Sequence, residues 1–244
     1  MGAIINEEKA GQNYLRIFCS LVPAPPLRAA GRVFADKFGV EVDLTAGKPE
    51  GWAPLVIGGE AGDVICCGAE YLLDEFEDAG AIIKESRRTV GYRRSVLIVA
   101  PDNPKGITSL ADLTRPEVRV GIAVGGCPKG IWDDICSKAG LTDAVRRNIV
   151  VHADGCGSLI RALTQGEIDV GFGWSSFCCF APQNVAAVEL SRDLQVYRST
   201  SVAITSFSPR KELARQFIEF LVTAPEARKF YDEFEMSLTV PPPT

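Results

Sequence analysis

Residues 148–176 read NIVVHADGCGSLIRALTQGEIDVGFGWSS, and their pattern sets the class of the whole chain. Ile149 to Val151 is an apolar, β-branched run, and Ala153 to Gly157 is a turn of small residues. An amphipathic segment closed by Gly166 follows, and then a second apolar run, Asp169 to Trp174. The expected unit is strand, helix, strand. Leu159, Ile160 and Leu163 share one helical face, Asp154 is the expected N-cap, and Gly166 stands where the helix must stop. Because Gly155, Cys156 and Gly157 carry little side chain, the amides of the first helical turn are open to a negative group, a small anion site. The same residues also suit a tight connection whose backbone angles need glycine.

Working outward, the alternation continues. Toward the N-terminus, strands are expected over Leu15 to Ser20, Val40 to Leu44, Asp63 to Gly68, Ser95 to Ala100 and Val118 to Val124. Helices are expected from Leu27 to Phe38, opened by Pro26 and closed by Gly39, and from Ala69 to Ala79 with Leu72, Leu73 and Phe76 inward. A short helix at Ser109 to Leu113 and one from Pro128 to Lys138 complete that half. Beyond Trp174 the chain runs through SSFCCFAPQN into strands over Val185 to Leu190 and Gln195 to Ser206. Residues 209–234 are expected to form two helices broken before Pro225, and the tail SLTVPPPT is expected to be extended or loose. Strands alternating with helices make an α/β chain with mostly parallel sheets, in which ligands sit beyond the carboxyl ends of strands. The turns after Ser20, Leu44, Gly68, Val124, Ala153 and Trp174 are the ones to search.

Composition removes several functions. The chain has 244 residues, 46% hydrophobic and 23% charged, with a net charge of −5 and no Lys/Arg block, which excludes a nucleic-acid partner. No apolar run is long enough for a membrane-spanning helix. The opening MGAIINEEKAGQN lacks the basic and apolar regions of a secretory signal, so the expectation is either a cytoplasmic protein or a removed signal. Eight cysteines occur without any C-x-x-C, so neither a zinc ribbon nor a thioredoxin motif is present. No phosphate-binding or dinucleotide glycine motif is complete, His152 has no partner for a catalytic triad, and no cofactor is implied. The acidic run Asp74 to Asp78 is the outer face of a helix, not a metal site.

Six segments together resemble the molybdate-type solute-binding proteins of ABC transporters. They are LRIFCSLVPAPPLRAAGRVFADKFGVEV, GDVICCGAEYLLDEFEDAGAI, SVLIVAPDNP, VRVGIAVGGCPKGIWDDI, GSLIRALTQGEIDVGFGW and ELARQFIEFLVTAPEARKFYDEF, spanning Leu15 to Leu238. The resemblance implies a two-lobed type II periplasmic-binding fold, monomeric, that holds a tetrahedral oxyanion such as molybdate or tungstate and delivers it to an ABC permease from the periplasm. It implies one lobe of residues 1–99 plus 205–244, a second of residues 100–204, and hinge strands at Ser95 to Ala100 and Ser199 to Ser206.

Carried over by position, the ligand residues are Cys19 and Ser20 in the first loop, Gly47 and Lys48 in the second, Cys127 and Lys129 in the third, Cys156 in the fourth, and Trp174 with Ser175 in the last. The chain departs from the family pattern at each side chain: Val22 falls at one serine position, Lys48 or Pro49 at the other, and Trp174 replaces a tyrosine. Backbone amides are indifferent to those changes. Thiols at helix starts have depressed pKa, so Cys127 and Cys156 are also candidates for a soft metal ion or arsenite. Lys48, Lys129, Arg93 and Arg94 are cations near these turns, and Arg93 and Arg94 either guard the site or pair with surface acids. The rival reading is an intracellular enzyme on the same fold.

Overall fold

The protein was analysed as a computed structural model that describes residues 13–241. The N-terminal segment read for a signal and the last prolines of the tail lie outside those residues. The strands are β1 (Tyr14–Cys19), β2 (Glu41–Ala46), β3 (Val64–Cys67), β4 (Arg88–Val99), β5 (Val120–Ala123), β6 (Ile149–Ala153), β7 (Val170–Trp174), β8 (Ala186–Val188) and β9 (Tyr197–Ile204). The helices are α1 (Ala24–Phe38), α2 (Ala53–Ile57), α3 (Glu70–Asp78), α4 (Ile131–Lys138), α5 (Thr142–Arg146), α6 (Cys156–Thr164), α7 (Ser176–Phe180), α8 (Lys211–Thr223) and α9 (Pro225–Glu233). The chain forms two compact units. Unit 1 takes Met1–Cys67, Tyr71–Thr89 and Ser201–Phe230; unit 2 takes Gly68–Glu70, Val90–Thr200 and Tyr231–Thr244.

In unit 1, β1 lies parallel to both β2 and β3, and β3 pairs antiparallel with β9. Trp52 fills the core between Phe18 and Phe76, each ring stacked with its centroid 5.7 Å away. Phe34 of α1 meets Phe217 of α8 edge to face at 5.0 Å, which docks the two helices. Asp63, fully buried at the start of β3, accepts from the Ser208 hydroxyl, the Arg210 guanidinium and the Arg16 amide. A buried carboxylate held by three donors locks the strand in register.

In unit 2, β5 is parallel to β6 and β7, while β4 is antiparallel to β7 and β8. The sheets are therefore mixed. Glycines let neighbouring side chains pack closely on β5 and β7: a Cβ at Gly121 would lie 2.5 Å from Ile168 and 3.1 Å from Leu159 of α6, and one at Gly173 would lie 2.8 Å from Ile98 of β4. The last residues join this unit through the Tyr92 amide, which donates to the Ser237 carbonyl at 2.6 Å.

Several expected boundaries move for local reasons. The strand expected from Ser95 begins at Arg88, because Arg93 and Arg94 interrupt the apolar signal but not the ladder. α4 begins at Ile131, not Pro128, since Gly130 adopts a left-handed φ of 80° that ends the preceding turn. Asp154 is not the N-cap of α6; Gly155 is, without a side-chain cap, and Asp154 instead accepts from the Ser158 hydroxyl. The stretch after the turn at Trp174, for which no helix is expected, holds the short helix α7 from Ser176 to Phe180, and so Cys178 and Cys179 are helical. Gly39 and the break before Pro225 stand where expected.

Candidate functional site

The site residues expected from sequence fall into two groups, one in each unit. In unit 1, Cys19 ends β1 and is buried; its thiol donates to the Ser20 carbonyl at 3.1 Å, and burial pushes its pKa well up. The Ser20 amide donates to Cys66 O and the Gly47 amide to Cys19 O, both at 3.0 Å. Those two amides belong to the sheet edge and are not available to an anion, which corrects the expectation that they would hold one. Lys48 is exposed and precedes the short 3-10 turn Pro49–Gly51.

The group in unit 2 converges. β5 and β6 are adjacent and parallel, with Ala123 opposite Ala153, so the turns after them leave the sheet side by side. Glycine lets them touch: a Cβ at Gly125 would sit 2.5 Å from the Asp154 carbonyl oxygen, and one at Gly126 would sit 3.5 Å from Gly155 Cα. The consequence is that Cys127 Sγ lies 2.9 Å from Cys156 Sγ, the first residue of α6.

Against this pair stands Arg93, on β4 and fully buried. Its Nη2 donates to Ser199 O at 2.7 Å and also to Gly68 O, its guanidinium carbon lies 4.7 Å from the centre of the Trp174 ring, and among the described residues no carboxylate pairs with it. Its Nε and Nη1, the Trp174 indole nitrogen and the hydroxyls of Ser175 and Ser176 are buried without a hydrogen-bond partner among the described residues. A Cβ at Gly68 would come 3.2 Å from Arg93 Nη1 and 3.4 Å from Cys127 Cβ, so any larger residue there would crowd the guanidinium.

Electrostatics follow from this packing. Burial raises the Cys127 pKa, but the Cys156 thiol, the Arg93 charge and the Trp174 indole outweigh it and bring it down to about 7. The guanidinium and indole act on the sulfur by proximity, without a well-formed hydrogen bond to it. Cys156 moves the opposite way, well up, because its proton is held by Cys127 and it is shielded from water. Above about pH 7 the pair therefore shares one proton.

The other expected residues are less engaged. Lys129 is exposed; its amide closes the turn on Gly126 O at 3.2 Å and its carbonyl accepts from Arg198 at 2.7 Å. Cys66 and Cys67 are buried within β3, and Cys136 is buried in α4. Arg94, which the sequence treats like its neighbour, pairs with Glu189 and Glu235. Successive strand residues point to opposite faces, and that alternation is the signal that separates Arg93 from Arg94. A cavity of about 460 Å³, lined by Ser86, Arg88, Glu212 and Arg215, lies in unit 1.

The two α/β units, each a mixed sheet flanked by helices, form a type II periplasmic-binding fold. The chain belongs to the bacterial extracellular solute-binding protein family, whose model matches residues 15–234. These are binding proteins, not enzymes. The chain is 24% identical over 197 residues to the molybdate-binding protein ModA of Mycobacterium tuberculosis (strain ATCC 25618 / H37Rv), covering 80% of this chain and 73% of that one. Among solved structures, L-phospholactate-bound PEB3, a protein known from Campylobacter jejuni, matches with a TM-score of 0.81 at 21% identity, covering 92% of this chain and all of that one. The periplasmic molybdate-binding protein of Azotobacter vinelandii matches at 0.71 and 16%, covering 93% and 100%.

Proposed function

We propose that this protein captures a small tetrahedral oxyanion of the molybdate or tungstate kind and presents it to an ABC permease. The observation that carries the reading is Arg93, a fully buried cation whose Nε and Nη1 have no hydrogen-bond partner among the described residues, beside a Trp174 indole N–H in the same state and the start of α6. A buried charge without a counter-ion costs several kcal/mol, on the order of a strong ligand contact, and a bound anion would offset it. The 24% likeness to a molybdate-binding protein supports the choice of ligand. Arg93, Cys127, Cys156, Trp174 and Ser175 would line the anion site in unit 2. A location outside the cytoplasm belongs to the same proposal.

A second reading is favoured by the 2.9 Å approach of Cys127 and Cys156: thiol-dependent capture of arsenite or a soft metal ion. Native mass spectrometry with molybdate, tungstate, sulfate and arsenite separates the two. A reversible mass shift with molybdate or tungstate that survives thiol alkylation supports oxyanion capture. Binding of arsenite alone, lost on alkylation, overturns it in favour of the thiols.

A further inference from the structure

The sulfurs of Cys127 and Cys156 lie 2.9 Å apart, nearer than two unbonded sulfur atoms normally sit and about 0.9 Å from bonding distance. Two adjacent turns, pressed together through Gly125, Gly126 and Gly155, hold them there. Both thiols are free. A family described as extracellular works where thiols this close oxidise and stay oxidised.

We propose that Cys127 and Cys156 are a site of reversible oxidation, closing into a disulfide that ties the turn after β5 to the first residue of α6. The oxidant is a disulfide, either a small molecule or an oxidoreductase. The Cys127 thiolate attacks one sulfur of that disulfide; its S–S bond breaks and one thiolate leaves. Cys156 then gives up its proton and attacks Cys127 Sγ in the mixed disulfide, expelling the second thiolate. In sum two thiols lose two protons and two electrons, and the oxidant gains both. The Arg93 charge favours the attacking thiolate, and the proton shared with Cys156 sets the order of attack. Closure also takes the ionisable sulfur away from Arg93.

The test uses the full chain, reduced with dithiothreitol and then equilibrated in glutathione buffers of increasing oxidised fraction. A parallel series uses diamide, so that slow entry of glutathione is not mistaken for inertness. After alkylation, proteolysis and mass spectrometry, the expected result is one linked peptide pair containing Cys127 and Cys156. That pair returns to two alkylated cysteines on reduction. Cys127→Ser and Cys156→Ser should each lose the linkage, the surviving cysteine stopping as a mixed disulfide with glutathione. Recovery of both residues as alkylated thiols throughout both series, or linkage of either one to a different cysteine, overturns the proposal. The readout needs no ligand, so failure of the oxyanion reading would leave its outcome intact.

Discussion

Arg93 is the residue on which the ligand reading turns. Replacing it by Met removes the charge and keeps the side-chain length. Hydrogen bonds to charged groups contribute about 1.5–3 kcal/mol, so Arg93→Met should weaken molybdate binding by about 10- to 150-fold in titration calorimetry. Thermal stability should change little, because losing a desolvated, carboxylate-free charge offsets the loss of donors to Gly68 O and Ser199 O. A large fall in Tm with unchanged affinity would make Arg93 a structural residue only. Cys127 adds a pH dependence. Arg93, Cys156 and Trp174 face its sulfur, and its pKa is about 7. In the reduced protein the thiolate forms as pH rises through that value and competes with an anion for Arg93. Oxyanion affinity should therefore fall from pH 6 to about 8 in reduced protein and stay flat in Cys127→Ser. The same depressed pKa contributes stability that is present above the ordinary thiol range and lost as pH falls through about 7.

At the scale of elements, the site depends on how two strand ends are followed. β5 and β6 are neighbours, and each turns away through glycine, so the two loops can lie backbone to backbone. Gly125→Ala would put a methyl group 2.5 Å from Asp154 O, well inside contact distance, and the loops must part. The expected cost is about 1–3 kcal/mol, read as a lower Tm, together with slower formation of the Cys127–Cys156 linkage. Gly157→Ala is the control: nothing lies within 4 Å of a Cβ there, so it should leave linkage formation unchanged. A second element-level test concerns the short 3-10 turn Leu110–Thr114. Ser109 and Asp112 form a capping box at its start, and the amides and hydroxyls of Thr108 and Ser109 hold the Asp112 carboxyl below its usual pKa. Ser109→Ala should lower stability by about 1 kcal/mol in chemical denaturation.

For the molecule as a whole, the buried cysteines predict alkaline sensitivity. Burial pushes Cys19 and Cys67 well up, Cys136 up to about 12 and Cys178 up to about 11. These are groups whose folded pKa exceeds the unfolded one. Their contribution is complete below the ordinary thiol range, about 8.5, and is lost as pH rises above it, because the unfolded chain ionises first. Thermal melts under reducing conditions should show Tm falling between about pH 8 and pH 10. Cys136→Ala, in α4, should flatten that slope in part. A Tm unchanged over this range would mean that the thiols titrate freely in the folded state.

How much of this was legible in the chain depends on the range of the interaction. Strand and helix identity, the stop at Gly39, the break before Pro225 and the resemblance to oxyanion binders all follow from local pattern and order, because periodicity and backbone angles are set by near neighbours. The sequence also singled out Cys127, Cys156 and Trp174, since each stands at or beyond the carboxyl end of a strand in an α/β chain. It could not separate Arg93 from Arg94: two adjacent arginines look alike until the ladder sends one to each face, inward beside Trp174 or outward to Glu189 and Glu235. Nor could it foresee that the Ser20 and Gly47 amides are engaged by Cys66 and Cys19, partners whose approach is decided by sheet register. By itself the sequence determined the class of fold and the loops worth searching. Only tertiary structure decided which polar groups in those loops are already satisfied and which, like Arg93 Nε and Nη1 and the Trp174 indole N–H, are buried without partners among the described residues, because hydrogen-bond satisfaction is settled between residues far apart in the chain.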